Sequence, residues 1–171
     1  MTVAPRDRPL VVGAATFLVL AAAATAIGAV TRNADAPNAS SASPTEVAAL
    51  AAARSESLAL TTIRYQSADA DLARILAGAT GQLRSQFEKQ KQQLSSTLGP
   101  NHSSSTGMIL SAGLTSLSGD TATAVVAADA TVSGSDLGPS GVVKHYRIVV
   151  TLQRQNGRWL ASDVSFEGQP Q

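Results

Sequence analysis

Residues Thr121–Val132 read TATAVVAADATV, and every even-numbered position in this stretch is alanine or valine. The odd-numbered positions carry the polar side chains, among them Asp129. A period of two is the spacing of side chains along one face of a β-strand, so the stretch predicts a strand with one buried face. Its polar face is expected to lie away from the core.

The segment before this strand has the same period. Met108, Leu110, Ala112 and Leu114 alternate with other residues and are followed by a turn signal at Gly119-Asp120. Glycine and aspartate are frequent in tight turns, because glycine adopts backbone conformations that other residues avoid. A preceding antiparallel strand, with these four apolar side chains on one face, is therefore predicted.

A third strand and a hairpin follow the loop Gly134–Gly141. In the third strand, His145 and Arg147 lie opposite an apolar face. Asn156-Gly157 is a strong signal for a two-residue hairpin turn and joins this strand to a fourth over Arg158–Phe166. The residues predicted for the apolar face of the third strand are Val142, Tyr146, Ile148, Val150 and Leu152.

Helical patterns occupy the part of the chain before the strands. Ser43, Pro44 and Glu46 form a capping-box sequence for a first helix that is predicted to reach about Tyr65. Ser67 or Asp69 is expected to cap a second helix that ends near Gly78, and Thr80 a third that ends at Gly99-Pro100. The residues at helical spacing are Val47, Leu50, Ala51, Arg54 and Leu58 in the first helix, and Leu83, Phe87, Lys91, Leu94 and Leu98 in the third.

This order of elements predicts an α+β domain over residues 44–167. Three helices (about 44–98) precede a meander of four antiparallel strands (about 104–166). We expect the helices to pack on the concave face of a curved sheet. Residues 168–171 are predicted to be a short tail.

The N-terminal part of the chain predicts a membrane anchor. Leu10–Val30 reads LVVGAATFLVLAAAATAIGAV and contains no charged residue. About 20 apolar residues in a helix cross a bilayer core of roughly 30 Å, so a transmembrane helix is predicted over residues 10–31. The alternative is a cleaved secretory signal, for which Ala24-Thr25-Ala26 and Ala34-Asp35-Ala36 are suitable cleavage sites. The apolar run is longer than the core of a typical signal peptide, which favours the anchor.

The charges that flank the apolar run predict its orientation. Arg6, Arg8 and the amino terminus precede it, and Arg32 alone follows closely. The positive-inside rule therefore favours a cytoplasmic tail over residues 1–9. The linker (residues 32–43) and the domain are then expected outside the cytoplasm, on a single-pass plasma membrane protein. The chain has no cysteine, so cysteine usage does not identify the compartment.

Composition excludes several classes of function. Thirteen Lys and Arg residues balance twelve Asp and Glu residues, and no basic stripe typical of nucleic-acid binding is present. The sequence contains no Gly-rich phosphate loop, no nucleophile-elbow serine and no metal-ligand spacing. A non-enzyme without metal or cofactor is predicted.

A few residues remain candidates for a site. Asp129 is predicted to lie beside His145 and Arg147 on the polar face of the sheet, most simply as a solvated ion pair. Trp159 follows the hairpin turn and is predicted to anchor the packing of the sheet, with a partner contact as the alternative. Asp69 and Asp71 are expected to interact with the dipole of the second helix, and His102 to be a surface loop residue.

Four strings carry a resemblance to a known family: Thr61–Tyr65 (TTIRY), Asp69–Leu76 (DADLARIL), Tyr146–Leu152 (YRIVVTL) and Asn156–Val164 (NGRWLASDV). In this order, after an apolar anchor, they resemble the actinobacterial Mce-associated membrane proteins. The order of helices and strands is similar to the nuclear transport factor 2-like superfamily, whose members have a cone-shaped α+β fold.

The resemblance implies a role beside the Mce systems, which import lipids or sterols across the actinobacterial cell envelope. Members are regarded as accessory or stabilising subunits, and no binding or catalytic residue is carried over. Mce complex subunits are therefore the expected partners, with a lipid as a further candidate. Two alternatives stay open: a carrier that holds a lipid or small molecule in the cone, and an anchored subunit of another envelope complex such as type IV secretion. An enzyme of the isomerase or dehydratase kind is the weakest alternative.

Overall fold

The computed structural model describes residues 42–137 and 140–167. The predicted tails (1–9 and 168–171), the predicted transmembrane helix (10–31) and most of the predicted linker lie outside the described residues. Within the described part, no helix has the length and apolar character that a membrane span requires. The elements, in chain order, are α1 (Pro44–Thr61), β1 (Ile63–Arg64), α2 (Ala68–Gly78), α3 (Gly81–Leu98), β2 (Ser104–Ser118), β3 (Thr121–Ser133), β4 (Val142–Gln155) and β5 (Arg158–Glu167).

The start of α1 confirms the predicted capping box. The Glu46 N–H donates to Ser43 Oγ (3.2 Å), and the Ser43 N–H donates to Glu46 Oε2 (2.7 Å). The helix ends at Thr61 rather than at the predicted Tyr65. The reason is tertiary, since the chain becomes extended beyond Thr62 and pairs with the start of β2.

This pairing adds a strand to the predicted sheet. The described strands form one antiparallel sheet of five strands in the order β1-β2-β3-β4-β5, whereas four were predicted. The additional strand, β1, has two residues, and Ile63 and Arg64 lie opposite Ser105 and Ser104. A strand of this length is too short to show a period, so its pairing depends on where α1 ends.

The core lies between α1 and one face of the sheet. All even-numbered residues of β3 from Ala122 to Val132 are buried, as the alternation predicted. Ile148, Val150 and Leu152 of β4 are buried beside them, whereas Val142 of the predicted apolar face is exposed at the strand end. The α1 residues in this cluster are Ala49 and Ala53.

The buried face of α1 is not the one that carries Val47 and Leu58, two of the large apolar residues at helical spacing. Val47 and Leu58 are 56% and 42% exposed, and the face toward the sheet carries Ala49, Ala53 and Ser57. Small side chains allow the backbone of a helix to approach a sheet closely. The side of α1 that carries Val47 and Leu58 therefore points away from the core.

Two irregularities in β2 change which side chains face the core. The pairing with β3 skips Leu110 and Thr115, so each is an extra residue in a β-bulge. Each extra residue shifts the alternation by one position, and Ile109 and Ala112 consequently pack on the same core. Met108 and Leu110 are 59% and 54% exposed. The prediction that Met108 and Leu110 share a face with Ala112 is therefore wrong.

Helix α2 packs beside α1 and contacts β1, and α3 packs on α2 and contacts β5 at the opposite edge of the sheet. Leu72, Ile75 and Leu98 are buried in a second apolar cluster, and Phe87 of α3 contacts both clusters. The connector between the helices lies along β5, where the Thr80 N–H donates to Ala161 O (2.8 Å). The apolar residues of the predicted α3 face are confirmed, because Leu83 and Leu98 are buried while Phe87 and Leu94 are half-buried. Lys91, which was predicted on the same face, is exposed.

Candidate functional site

The predicted polar residues lie on the outer face of the sheet. Asp129 and His145 are directly opposite each other in the β3–β4 register, and Asp129 Oδ1 lies 2.6 Å from His145 Nδ1. Arg147 follows two positions along β4, between Ala127 of β3 and Glu167 of β5. The His145 side chain is 75% exposed. The structure thus brings Asp129 and His145 together in an open, solvated position.

This position limits what the pair can do chemically. A general acid or base works best when it is shielded from water and has a pKa matched to its task. His145 lies on the side of the sheet opposite α1, and water reaches most of its ring. An exposed cross-strand pair of this kind contributes about 0–1 kcal/mol to stability.

Trp159 is buried in the main core. Its indole packs in the same cluster as Leu152 and Ala161, and the Arg154 guanidinium lies 5.9 Å from the ring centroid. Arg154 in turn donates to Asp120 (2.8 Å) at the β2–β3 turn. Trp159 therefore occupies the position of a packing anchor, and its contact with a partner stays a prediction.

A buried carboxyl group, Glu56, was not identified from the sequence. It lies on the face of α1 that packs inward, and its Oε2 atom fills the space beside Gly78 at the end of α2. Burial raises the pKa of Glu56 to about 8. Among the described atoms, Glu56 Oε1 and the neighbouring Ser57 Oγ have no hydrogen-bond partner. The sequence signal for this group is a carboxylate at helical spacing with the small residues Ala49 and Ala53.

A second buried carboxyl, Asp71, is held by three side chains. Arg64 donates to it from its backbone N–H (2.9 Å) and from Nη2 (3.1 Å), Arg74 from Nη2 (2.7 Å) and Ser67 from Oγ (3.0 Å). Burial alone raises the pKa of Asp71, but these hydrogen bonds outweigh it and lower the pKa to about 2. Asp71 thus connects α2 to β1 through its hydrogen bonds. The sequence predicted only an interaction of Asp71 with the dipole of α2.

His102, predicted as a surface loop residue, lies outside the carboxyl clusters. His102 lies on the surface, as predicted, and stacks on the Tyr65 ring at 4.8 Å between centroids. In residues 42–137 and 140–167, no three His, Asp or Glu side chains are grouped closely enough to hold a metal ion.

The exposed apolar side chains are a different kind of candidate, because contiguous apolar surface often marks a contact site. They are Val47 and Leu58 on α1 and Met108, Leu110, Val142 and Val143 on the sheet.

Comparison with known proteins connects this chain to a sequence family. The model of the family described as "Uncharacterized protein Rv1363c/MT1408-like" matches residues 9–168. The match therefore includes both the apolar N-terminal run and the domain. No curated protein matches the chain.

Comparison with solved structures identifies a shared fold. The chain is similar to an IcmL-like type IV secretion system protein from Legionella pneumophila, with a TM-score of 0.57, 11% identity, and coverage of 75% of this chain and 96% of that one. A protein of Novosphingobium aromaticivorans described as an aromatic ring hydroxylase (16% identity, 68% and 85% coverage) and the intermembrane space region of the chloroplast protein ARC6 (12%, 66% and 87%) both have TM-scores of 0.46. The similarity to the IcmL-like protein shows a shared α+β fold.

Proposed function

The chain belongs to the Rv1363c/MT1408-like family, and on that premise we propose that it is a membrane-anchored, non-catalytic accessory subunit of an Mce lipid or sterol import system. Two observations support a subunit of an envelope assembly. The four strings of the sequence resemble Mce-associated proteins, and the fold is that of an IcmL-like type IV secretion system protein. The second observation also supports the broader alternative, a subunit of another envelope complex.

The outward stripe of α1 is the observation that carries the proposal. Val47, Ala51, Arg54 and Leu58 recur at spacings of four and three residues along one side of the helix, opposite the buried face. This spacing is the one that packs two helices together in a coiled coil. A stripe of this kind on a helix that already has a buried face fits a contact with another protein.

The arrangement of charged groups supports a role without catalysis. Asp71 is neutralised by Arg64 and Arg74, and Asp129 and His145 lie on an open surface. Chemistry on a substrate needs several polar groups that converge on a shielded point. The other buried carboxyl group, Glu56, packs against Gly78.

One observation favours a second candidate function, a lipid or small-molecule carrier. Glu56 Oε1 and Ser57 Oγ are buried without a hydrogen-bond partner in the described part of the chain. Buried polar atoms normally have partners, and the hydroxyl group of a bound sterol or lipid can supply one. The carrier therefore makes a specific prediction, namely a ligand whose polar group reaches Glu56.

Deletion and complementation test the accessory role. Loss of the gene should lower both the amount of an Mce complex and its lipid uptake, and the wild-type chain should restore both. A Val47→Ser/Leu58→Ser variant should fail although it accumulates in the membrane, because its α1 stripe has lost both of its large apolar side chains. Asp129→Asn and His145→Ala are the matched controls and should complement fully. Unchanged Mce levels in the deletion strain would refute the Mce assignment.

Purification separates the accessory role from the carrier. The full chain, extracted in detergent and purified by chromatography, should contain no stoichiometric lipid by mass spectrometry and should capture Mce subunits. A lipid that is retained by the wild type and lost from Glu56→Gln would instead support the carrier. Capture of subunits of a secretion machine in place of Mce proteins would support the broader alternative.

A further inference from the structure

One edge of the sheet is open. Strand β1 pairs only with Ser104 and Ser105 of β2, and the Gly107 N–H, next along this edge, donates to Thr62 Oγ1 (3.1 Å). From Met108 to Ser118, no backbone group of the described residues pairs with β2 on the side away from β3. Strand β2 therefore presents a row of backbone donors and acceptors with which another extended chain can pair.

The open edge lacks the usual protection against pairing. The sequence of β2, SSTGMILSAGLTSLS, contains no charged residue and no proline. Proteins commonly guard exposed edges with Lys or other charges, with proline, or by covering them. The opposite edge is guarded in this way, because β5 carries Arg158, Asp163 and Glu167 and is partly covered by the connector at Thr80.

From this asymmetry we propose that β2 is a homodimer interface, in which the edge from Met108 to Ser118 pairs antiparallel with the same edge of a second copy of this chain. A two-fold axis near Gly113 joins the two sheets into one continuous sheet. Antiparallel pairing about such an axis gives an isologous interface, in which a residue before the axis in one copy pairs with a residue after it in the other, and the reverse pair forms as well. This inference is independent of the proposed accessory role.

The axis determines the register. With Gly113 at the centre, Ala112 lies opposite Leu114 of the second copy, and Leu110 lies opposite Ser116. Residues nearer the start of β2 are excluded from pairing, because Thr62 and β1 occupy the edge there. Open space surrounds Gly113, since a β-carbon built on it meets no atom within 4 Å.

Two features favour a second copy of the chain over another polypeptide. Like charges directly opposite each other destabilise strand pairs, and an uncharged strand can pair with itself without any such contact. The bulges at Leu110 and Thr115 also bend β2, so that a partner must follow the same bend. A second β2 does so, because the axis brings the bulge at Leu110 near that at Thr115 of the partner copy.

Variants that carry new charges at Leu110 and Ser116 test this register. The full chain is purified in detergent, and its mass is measured by analytical ultracentrifugation over a concentration series. In Leu110→Lys/Ser116→Lys, lysines oppose each other at both ends of the interface, and the dissociation constant should rise by at least about tenfold. In Leu110→Lys/Ser116→Glu, Lys opposes Glu, and dimerisation should be restored. Both positions are exposed in a single copy, so each variant should fold, which circular dichroism checks.

A matched control and a second measurement complete the test. Gln82→Lys/Gln92→Lys adds the same charge at exposed positions of α3 and should remain dimeric. The amides of residues 108–118 that point away from β3 should exchange slowly with solvent in the wild type and fast in the double-lysine variant, whereas those bonded to β3 should be protected in both. A monomeric wild type, or a double-lysine variant that dimerises normally, would overturn the proposal. Protection of residues 108–118 only after addition of an Mce subunit would assign the edge to another polypeptide and overturn it equally.

Discussion

The Glu56 carboxyl group and the α-carbon of Gly78 are in direct contact, because Oε2 of Glu56 occupies the space that a β-carbon on residue 78 would fill. This contact joins the middle of α1 to the end of α2. It also encloses an ionisable group, whose charged form is disfavoured by burial. The pKa of Glu56 is raised from 4.5 to about 8 as a result.

The raised pKa of Glu56 predicts that the domain loses stability as the pH rises from about 5 to 8. In this window the unfolded chain releases the proton and the folded chain retains it, so the free energy of unfolding falls by about 1.4 kcal/mol for each pH unit. Glu56→Gln removes this dependence and should be more stable than the wild type at pH 8. Urea denaturation at several pH values measures both slopes. The control Glu88→Gln, on the exposed side of α3, should keep the wild-type slope.

Asp71 predicts a separate loss of stability in acid. Its pKa is lowered from 3.8 to about 2, so its contribution is present above pH 3.8 and is lost as the pH falls toward 2. The contribution amounts to about 2 kcal/mol. Asp71→Asn should lower the free energy of unfolding at pH 7 by a similar amount and flatten its dependence on pH below 4. Asp136→Asn, in an exposed loop, should change neither quantity.

The two faces of β4 should respond differently to a new charge. Val150→Asp places an unpaired carboxylate in the core, at a cost of several kcal/mol. This is a large part of the roughly 5–15 kcal/mol that stabilises a typical domain, so the variant should be unfolded or close to it. Gln153→Asp, on the exposed face of the same strand, should fold normally. Equal damage from both substitutions, seen by circular dichroism, would show that the faces are wrongly assigned.

The Asp129–His145 contact should be nearly neutral for stability. Because the pair is exposed to solvent, Asp129→Asn and His145→Ala should each change the free energy of unfolding by less than about 1 kcal/mol. A double-mutant cycle should give a coupling energy of roughly 0.2–1 kcal/mol. A coupling of several kcal/mol would instead indicate that the pair is shielded in the intact protein.

The N-terminal apolar run predicts a retained anchor. A reporter fused after Gln171 should be active outside the cytoplasm, and the protein should remain in the membrane fraction at full mass. The reason is that Leu10–Val30 is long enough to cross a bilayer. Release of a product shortened by about 30 residues would identify the run as a cleaved signal peptide.

Local patterns predicted the elements that repeat regularly. The alternation in Thr121–Val132 identified the buried face of β3, and the capping box at Ser43 identified the start of α1. Asn156-Gly157 marked the final hairpin, in which both turn residues have positive φ. In each case, the backbone geometry within a few residues determines the signal, and for this reason sequence alone was sufficient.

Tertiary packing decided the rest. Two faces of α1 could be buried on sequence grounds. The helix approaches the sheet closely, so the buried face is the one with Ala49, Ala53 and Glu56. The face with Val47 and Leu58 stays exposed. The bulges in β2 and the short strand β1 likewise depend on the strands beside them. Sequence periodicity alone determined that this chain forms helices followed by an antiparallel sheet, because side-chain spacing is a local property. Which faces are buried, which carboxyl groups are enclosed and which edge stays open depend on contacts between residues far apart in the chain, and only the tertiary structure decided them.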